Sequence, residues 1–231
     1  MGAKRILETI LSQGRTVLLE PEAYEVLSSY SIPVPKYQVV TSIKEAEMAS
    51  EKIGYPLVLK IVSPDIIHKS DVGGVKVDVK DVEQLRSSFD SLMADVRQKA
   101  PNARIVGVLV KEMAPKSVEV VVGMLRDPTF GPTVMFGLGG VLIEIMKDVV
   151  FRIAPVSREE ALGMIVKVKG YPLLSGFRGS KPLDVEAVAD LISSVSRIAV
   201  ENPVIDQMDL NPVLVYERGF AVVDARIILK V

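Results

Sequence analysis

The apolar and polar residues of this chain alternate between the spacing of a helix and the spacing of a strand. In one long segment the apolar residues recur every three or four positions, which predicts an amphipathic helix with one buried face. These residues are Val82, Leu85, Phe89, Leu92 and Val96. Just before them, the stretch VGGVKVDVK alternates apolar and polar residues with period two, which is typical of a strand. The change of period predicts a fold of mixed helices and strands.

Local signals mark where other helices begin and end. Ser42 with Glu45, and Ser157 with Glu160, have the spacing of capping boxes, in which two side chains bond reciprocally to the first helical turn. Gly54 follows the first of these helices, where a glycine commonly ends a helix. Further predicted helices are MGAKRILETILSQG, PEAYEVLSSYSIPVP and PLDVEAVADLISSVSRIAVE.

Several segments rich in β-branched residues are predicted to be strands. They are YPLVLKIVSP, RIVGVLVKEM, SVEVVVGMLRD, DQMDLNPVLV and GFAVVDARIIL. The order of helices and strands predicts the α+β class, with mostly antiparallel sheets in two lobes. The pattern breaks at PNAR, so we expect an N-terminal helix at 1–20 as a candidate partner contact, then lobes at 21–105 and 106–231.

Composition limits the partners of this chain. Its 231 residues carry a formal net charge of −1 at pH 7, which gives no reason to expect nucleic acid or an anionic membrane as a partner. Cysteine is absent, which excludes disulfides, thiolate metal sites and cysteine nucleophiles and favours a cytoplasmic protein. No apolar run approaches the ~20 residues that span a bilayer.

A loop between two predicted strands contains residues that suit a phosphate site. Lys60 lies inside the apolar run LVLKIV, where an ammonium group is costly unless it meets an anion. Gly73 and Gly74 open the next strand, and paired glycines let backbone N–H groups approach a ligand. His68 is the one histidine of the chain. Together they predict phosphates under a glycine flap. Alternatively, Lys60 reaches the surface, the glycines only form a turn and His68 is a solvated loop residue.

The last two predicted strands place three oxygen-bearing side chains on one face. A four-residue turn, YERG, would put Asn211 opposite Asp224, whereas a two-residue turn, RG, would put Asp224 opposite Val213 and diagonal to Asn211. In both registers Asp209 stays on the same face. Asparagine and aspartate are poor strand residues, and their oxygens suit Mg²⁺. The pattern predicts a Mg²⁺ site, although the polar outer face of a two-stranded ribbon would give the same pattern.

Three motifs occur along the chain in a fixed order. They are YPLVLKIVSPDIIHKSDVGGVKVDV, LLSGFRGSKPLD, and DLNPVLV followed by VVDARI. With nearly the whole chain, they resemble the ATP-grasp subunit of nucleoside-diphosphate-forming acyl-CoA synthetases. This family includes archaeal ADP-forming acetyl-CoA synthetases and, more distantly, succinyl-CoA synthetase. The resemblance implies an ATP-grasp fold with the nucleotide between two lobes. It also implies the conversion of acyl-CoA, ADP and phosphate into free acid, CoA and ATP.

The resemblance gives roles to the residues described above. Asn211 and Asp224 match the Mg²⁺ ligands of the family, and Asp209 matches an acidic residue that steadies a phosphohistidine at the nucleotide site. Lys60 matches the lysine that contacts the nucleotide phosphates. The matches to the flexible glycine loop are Gly73 and Gly74.

The resemblance also adds candidate residues. The segment VLVKEM, 108–113, is similar to the segment that holds adenine through backbone groups, here Val110 and Met113, with Glu112 facing the base or ribose. Glu119 is a further candidate carboxylate of the site. Arg178 in GFRGS would reach a phosphate, or else cap a helix or form an interface salt bridge.

The resemblance further implies that the chain is half of an enzyme. A CoA-binding α subunit would carry the primary phosphohistidine, in a heterotetramer of two α and two β chains. The phosphoryl group would reach ADP either through His68 as a nucleophile or beside His68 as a cation. We expect no nucleic acid and no membrane among the partners.

Other functions stay open from the sequence. They are an ATP-grasp carboxylate ligase without a phosphohistidine, a CoA ligase for succinate or aryl acids, and a non-catalytic nucleotide-binding regulatory module. A dinucleotide site is not favoured, because GLGG at 137–140 runs into VLIEI, which looks like a strand and not like the start of a helix. We expect 136–155 to form a loop and strand near the triphosphate or the partner.

Overall fold

A computed structural model describes residues 2–140 and 148–230, which form two compact units. The first, here called the discontinuous unit, combines Met1–Val34 with Lys116–Val231. The second, here called the central unit, comprises Pro35–Pro115. Each unit contains one antiparallel sheet with helices, so the predicted α+β class is confirmed.

The helices and strands are numbered here in chain order. The helices are α1 (Ala3–Ser12), α2 (Glu20–Ser29), α3 (Ile43–Ile53), α4 (Val82–Lys99), α5 (Arg158–Ile165), α6 (Pro172–Ser175) and α7 (Val185–Glu201). The strands are β1 (Tyr37–Val40), β2 (Leu57–Val62), β3 (Val75–Val79), β4 (Gly107–Glu112), β5 (Val118–Asp127), β6 (Gly131–Leu138), β7 (Val149–Ile153), β8 (Ile205–Val215), β9 (Phe220–Val222) and β10 (Ala225–Leu229). Within the described parts of the chain, no helix combines the length and apolar character needed to cross a membrane.

In the central unit, both helices pack on one face of a sheet with the strand order β1-β4-β2-β3. Leu59 and Val110 point toward α3 and α4 and are fully buried. The predicted buried face of α4 is confirmed for four of its five residues, whereas Val82, the first residue of the helix, is 36% exposed. The sheet therefore has one apolar face covered by helices and a second face that carries different residues.

Side-chain caps begin both predicted helices, although at the first the Glu45 carboxylate accepts the N–H of Thr41, at 2.7 Å, in place of that of Ser42. Ser42 accepts the N–H of Glu45 at 3.3 Å at the start of α3, and Gly54 ends that helix with a φ of 90°. At the start of α5, Ser157 accepts the N–H of Glu160 at 3.2 Å, and the Glu160 carboxylate accepts the N–H of Ser157 at 2.8 Å. The Ser157–Glu160 capping box is thereby confirmed.

In the discontinuous unit, a six-stranded sheet has the order β10-β8-β5-β6-β7, and β9 also pairs with β8. The helices α5 and α7 pack on this sheet. Val122, Phe136 and Leu210 of the strands are buried, as is Ile192 of α7. Alternation along each strand then leaves a second face for Asp209 and its neighbours.

The boundaries of the two units differ from the expected segments 1–20, 21–105 and 106–231. The N-terminal segment joins the last strand, because Leu18 donates its N–H to the carbonyl of Ile227 at 3.0 Å and Leu229 donates to the carbonyl of Thr16 at 2.7 Å. Strand β4 pairs with β1 and β2, so the residues just after 105 belong to the central unit. Pairing between distant parts of the sequence decides both boundaries.

Three details of the sheets are not predicted by the sequence pattern. Strand β1 has only four residues, and β6 begins with Gly131 and Pro132, so neither gives a strong strand signal. The predicted final strand is divided into β9 and β10 by Val223 and Asp224. This break lies at one of the candidate metal ligands.

Candidate metal and nucleotide site

Asn211 lies opposite Asp224 in the strands that end the chain. The N–H of Asn211 donates to the carbonyl oxygen of Asp224 at 3.3 Å. Leu210 pairs with Ala225 and Val213 pairs with Val222, so the pairing of β8 with the last two strands keeps the same register before and after Asn211. The four-residue turn YERG, 216–219, therefore connects the strands, and the first of the two predicted registers is confirmed.

A β-bulge lies in β8 at Asn211 and Pro212. Toward β5, Leu210 pairs with Val122 and Val213 pairs with Val120, so two residues of β8 lie opposite the single Val121. A bulge of this kind bends a strand and changes the direction of a side chain. Here it changes the course of β8 at the residue whose amide faces Asp224.

Asp209 lies on the exposed face of the sheet, two residues before Asn211. It pairs with Gly123 of β5 on one side and Arg226 of β10 on the other. Removal of water by the surrounding protein, and then the negative charge of Asp224, raise the pKa of Asp209, while Arg226 acts to lower it. Two carboxylates that repel each other make a location where a cation would be stabilised.

The residues of this face fit Mg²⁺. Mg²⁺ prefers oxygen ligands, and protein sites often supply only one or two carboxylates while water and phosphate oxygens complete the coordination. Asp224 and Asn211 are paired across the two chain segments, and Asp209 is the next outward residue. Among residues 2–140 and 148–230, no group of three or more His, Cys, Asp or Glu side chains is arranged to hold a metal by itself. The pairing of Asn211 with Asp224 brings two oxygen-bearing side chains to one place, which suits a metal that is shared with a phosphate ligand.

Glu119 lies on the same face of the sheet as Asp209. It is four residues before Gly123 on β5, and Gly123 pairs with Asp209. Gly139 donates its N–H to the carbonyl of Glu119 at 2.8 Å, and a Cβ on Gly140 would lie 2.7 Å from Glu119 Oε2. The end of β6 thus packs directly on Glu119. Of the segment 136–155, residues 141–147 lie outside the described residues.

In the central unit, Lys60 shares a sheet face with a second buried lysine, Lys111. Lys60 pairs with Leu109 of β4, and Lys111 lies two residues after Leu109. Side chains two residues apart on a strand share a face, so Lys60 and Lys111 point to the same side of the sheet. Lys60 is 6% exposed and Lys111 is 2% exposed, on the face opposite the helices. Lys111 is not among the candidates given above, although VLVKEM repeats the signal of LVLKIV, a lysine inside an apolar strand.

His68 is exposed in the loop between β2 and β3, and this loop is closed by its own hydrogen bonds. Gly73 donates its N–H to the carbonyl of Ser70 at 3.1 Å, and Gly74 donates to the carbonyl of Lys69 at 2.8 Å. In this conformation the loop itself uses both glycine N–H groups, and contact of the glycine flap with a phosphate stays a prediction.

Packing explains why both positions are glycine. Gly73 has a φ of 71°, and a Cβ there would lie 2.9 Å from the side chain of Asp95 on α4. A Cβ on Gly74 would lie 2.6 Å from Cγ2 of Ile61. The loop can lie this close to β2 and α4 only without side chains at these two positions.

The segment expected to hold adenine is part of the sheet. Val110 lies in β4 between β1 and β2, and its side chain belongs to the core. The Glu112 carboxylate accepts the N–H of Lys36 at 2.9 Å, and Met113 donates its N–H to the carbonyl of Pro56 at 3.0 Å. Val110 therefore does not present its side chain to a ligand, and the chain first leaves the sheet after Glu112.

Arg178 lies in an exposed loop after α6, with a φ of 52°. Its guanidinium is 5.3 Å from the centre of the Phe177 ring, as in a cation–π contact. The candidate residues thus fall into two groups, one in each unit. The discontinuous unit contains Glu119, Arg178, Asp209, Asn211 and Asp224. The central unit contains Lys60, His68, Gly73, Gly74, Val110, Glu112 and Met113.

Comparison with known proteins identifies relatives of nearly the whole chain. The family described as ATP-grasp domain matches residues 9–229. The chain is 50% identical to the β subunit of ADP-forming acetate–CoA ligase I of Pyrococcus furiosus, over 98% of this chain and 97% of the relative. The acetyl-coenzyme A synthetase 1 of Ca. Korarchaeum cryptofilum was solved with coenzyme A and Ca-AMPCP. It matches with a TM-score of 0.96 and 51% identity, over 99% of this chain and 100% of that one.

A second structure of the same Korarchaeum enzyme contains coenzyme A and Mg-AMPPCP, with a phosphohistidine segment that points towards the nucleotide-binding site. Its TM-score is 0.88 and its identity 48%, over 99% of this chain and 100% of that one.

Proposed function

The chain belongs to the ATP-grasp family, and from that premise we propose that it is the nucleotide-binding β subunit of an ADP-forming acetyl-CoA synthetase. The reaction is acetyl-CoA with ADP and phosphate to acetate, CoA and ATP. The observation that carries the proposal is the pairing of Asn211 with Asp224, with Asp209 beside them on the exposed face of the sheet. The relatives in Pyrococcus and Korarchaeum support the choice of acyl-CoA chemistry over other ATP-grasp reactions.

In the proposed step, a phosphoryl group moves from a histidine of the partner subunit to ADP. The bond between phosphorus and the imidazole nitrogen breaks, and a bond between phosphorus and a terminal oxygen of ADP forms. Such transfers depend mainly on positioning and on charge neutralisation. When bound, Mg²⁺ would supply positive charge to the phosphate oxygens. Asn211 and Asp224 would hold it.

Asp209 would act on the phosphoryl donor, the phosphohistidine of the partner subunit. Asp209 is outward-facing and next to the metal ligands, where its carboxylate can accept the N–H of the partner's imidazole and hold the ring in place. Lys60 and Lys111 share one face of the central sheet and would offset negative charge on the nucleotide phosphates. The glycine loop of Gly73 and Gly74 would hold His68 near the phosphoryl group.

His68 has two proposed roles. As a nucleophile, its imidazole would take the phosphoryl group from the partner and pass it to ADP. As an imidazolium, it would hold the phosphoryl group by charge without bonding to it. Its exposure in the loop supports both roles, because an incoming phosphohistidine must reach it from outside this chain.

We propose that adenine binds where the chain leaves the sheet at the end of β4. There the chain leaves the sheet after Glu112, so Met113 is the first residue whose carbonyl could face a base, while Val110 would pack behind it. Glu112 would face the base or ribose, Glu119 would add a carboxylate beside the metal ligands, and Arg178 would contact a phosphate.

We further propose that the partner is a CoA-binding α subunit that carries the phosphohistidine, in an α2β2 assembly in the cytoplasm. The phosphohistidine segment of the Korarchaeum enzyme supports this division of labour. The one histidine of this chain, His68, has a relay or charge role in the proposed step, so the primary phosphohistidine would belong to the other chain.

A calorimetric titration of the purified chain with ADP tests the proposal. Micromolar binding that requires Mg²⁺, about −8 kcal/mol at 1 µM, and that is lost in Asn211→Ala and Asp224→Ala, would support it. Gln207→Ala is the matched control, because Gln207 is an exposed residue of the same strand that is not assigned to the metal. Binding that is equal in all four proteins and independent of Mg²⁺ would contradict the metal assignment.

Turnover separates this function from the alternatives. The chain alone should not make ATP from acetyl-CoA, ADP and phosphate, and adding the α subunit should start the reaction. ATP synthesis by the chain alone would show an ATP-grasp ligase that needs no partner phosphohistidine. Nucleotide binding with no turnover in the assembled complex would show a regulatory module.

A further inference from the structure

A buried hydroxyl lies directly behind Asp224. Tyr24 of α2 is fully buried, and its hydroxyl oxygen is 3.1 Å from the carbonyl oxygen of Val223 and 2.9 Å from Oε1 of Glu20. Val223 immediately precedes Asp224, in the break between β9 and β10. A helix near the start of the chain thus contacts the main chain of the proposed metal segment, across 199 residues of sequence.

The other side of the same break is held by β8. Val223 donates its N–H to the carbonyl of Pro212 at 2.9 Å, and the carbonyl of Asp224 accepts the N–H of Asn211 at 3.3 Å. The carbonyl of Val223 is bonded by Tyr24. Since a peptide unit is planar, a bond to this carbonyl also fixes the peptide nitrogen of Asp224 and limits the direction of its side chain.

We propose that Tyr24 is a positioning residue for Asp224, because its hydroxyl fixes the peptide between Val223 and Asp224 and so directs the carboxylate toward the metal. This inference rests on the proposed function, in which Asp224 is a metal ligand. Groups that hold a metal ligand in place typically change metal affinity by about 10- to 100-fold when they are removed. Glu20, one turn earlier in α2, accepts from the same hydroxyl, so its carboxylate shares the one hydroxyl proton with the carbonyl of Val223.

Tyr24→Phe and Tyr30→Phe form a matched pair of variants. Tyr30 directly follows α2, and its hydroxyl also joins this region to the rest of the unit. It donates to Glu201 at 2.8 Å and accepts from Asn202 Nδ2 at 2.8 Å. Each substitution removes one oxygen and keeps the ring. Of these two hydroxyls, that of Tyr24 contacts Val223, the residue before Asp224, whereas that of Tyr30 bonds to Glu201 and Asn202.

The full chain is titrated with Mn²⁺ in the presence of ADP, and bound Mn²⁺ is measured by electron paramagnetic resonance. We expect Tyr24→Phe to weaken Mn²⁺ binding by about tenfold, and Tyr30→Phe to leave it unchanged. Hydrogen exchange without metal or nucleotide should be faster for residues 220–228 in Tyr24→Phe alone. Glu20→Gln should keep wild-type Mn²⁺ affinity, because its amide can donate to the Tyr24 oxygen and leave the hydroxyl proton for Val223.

Two outcomes would overturn the inference. One is wild-type Mn²⁺ affinity in Tyr24→Phe. The other is an equal loss in Tyr24→Phe and Tyr30→Phe, which would indicate a general loss of stability. A wild-type chain that binds neither Mn²⁺ nor ADP would instead contradict the proposed function. In that case hydrogen exchange alone decides whether Tyr24 holds the segment, since its result needs no bound metal.

Discussion

Asp209 and Arg226 face each other across β8 and β10, and Arg226 opposes the effects that raise the pKa of the Asp209 carboxyl. Desolvation and the negative charge of Asp224 are the effects that raise it. The carboxylate face therefore contains a repulsion between Asp209 and Asp224 that the protein offsets only in part. A bound cation would reduce the repulsion between Asp209 and Asp224, so metal binding at this face would also stabilise the two carboxylates.

The first prediction concerns the pH dependence of stability. Because the pKa of Asp209 is higher in the folded than in the unfolded chain, its ionised form opposes folding above the folded pKa, and this cost disappears below the unfolded value of about 3.9. Asp209→Asn should therefore raise the free energy of unfolding at neutral pH, by less than about 1 kcal/mol because the side chain reaches solvent. Urea unfolding at neutral and at acidic pH measures the difference, which should vanish at acidic pH.

Asp224→Asn provides the control for this prediction. Without the Asp224 charge, the Asp209 carboxylate loses one cause of its raised pKa, so Asp209→Asn should stabilise the Asp224→Asn variant less than it stabilises the wild type. An equal gain in both backgrounds would show that the two carboxylates do not interact.

The second prediction concerns the two buried lysines of the central sheet. Lys60→Met and Lys111→Met should each weaken ADP binding by about tenfold or more, since a hydrogen bond to a charged group contributes roughly 1.5–3 kcal/mol. Lys76→Met is the control, because Lys76 is on β3 and bonds to Asp95 of α4 at 2.7 Å. It should lower stability and leave ADP affinity as it is. Calorimetry with ADP measures all three variants, and normal affinity in Lys111→Met would remove Lys111 from the phosphate site.

The third prediction concerns the close packing of the glycine loop. Gly74→Ala should destabilise the protein by roughly 1–3 kcal/mol, because the new Cβ would lie 2.6 Å from Ile61 and overpack the loop. Gly163→Ala should instead stabilise it by roughly 0.5–1 kcal/mol, since Gly163 lies within α5 and a Cβ there meets nothing within 4 Å. Chemical denaturation compares them, and a neutral Gly74→Ala would mean that the loop conformation tolerates a side chain.

Local patterns were sufficient for the elements whose signals lie within a few residues of each other. The buried face of α4, the cap at Ser157 and the shared face of Asp209 and Asn211 all follow from residue spacing alone. The choice between two turn lengths before β9 did not follow, because both registers place the same side chains outward. Only the observed pairing of Asn211 with Asp224 decides it.

Features that depend on distant contacts could not be predicted. The contacts of the loop glycines with Ile61 and Asp95 leave no local signal in the sequence, and the predicted contact of these glycines with a phosphate stays a prediction. The bond from Tyr24 to Val223 joins opposite ends of the chain and leaves no local signal. The roles of the site residues came from resemblance to a family, because spacing alone cannot distinguish a metal site from a polar strand face.

The last prediction concerns His68. His68→Gln should lower turnover in the complex with the α subunit by about a hundredfold or more in both proposed roles. Ser70→Ala, in the same exposed loop, should leave turnover unchanged, because the bond from Gly73 goes to the main-chain carbonyl of Ser70. Incubation of the chain with radiolabelled ATP and Mg²⁺ separates the roles, since a covalent intermediate leaves an acid-labile label. His68 is the only histidine, so a label that is absent in His68→Gln locates the phosphoryl group. Unchanged turnover in His68→Gln would contradict both roles.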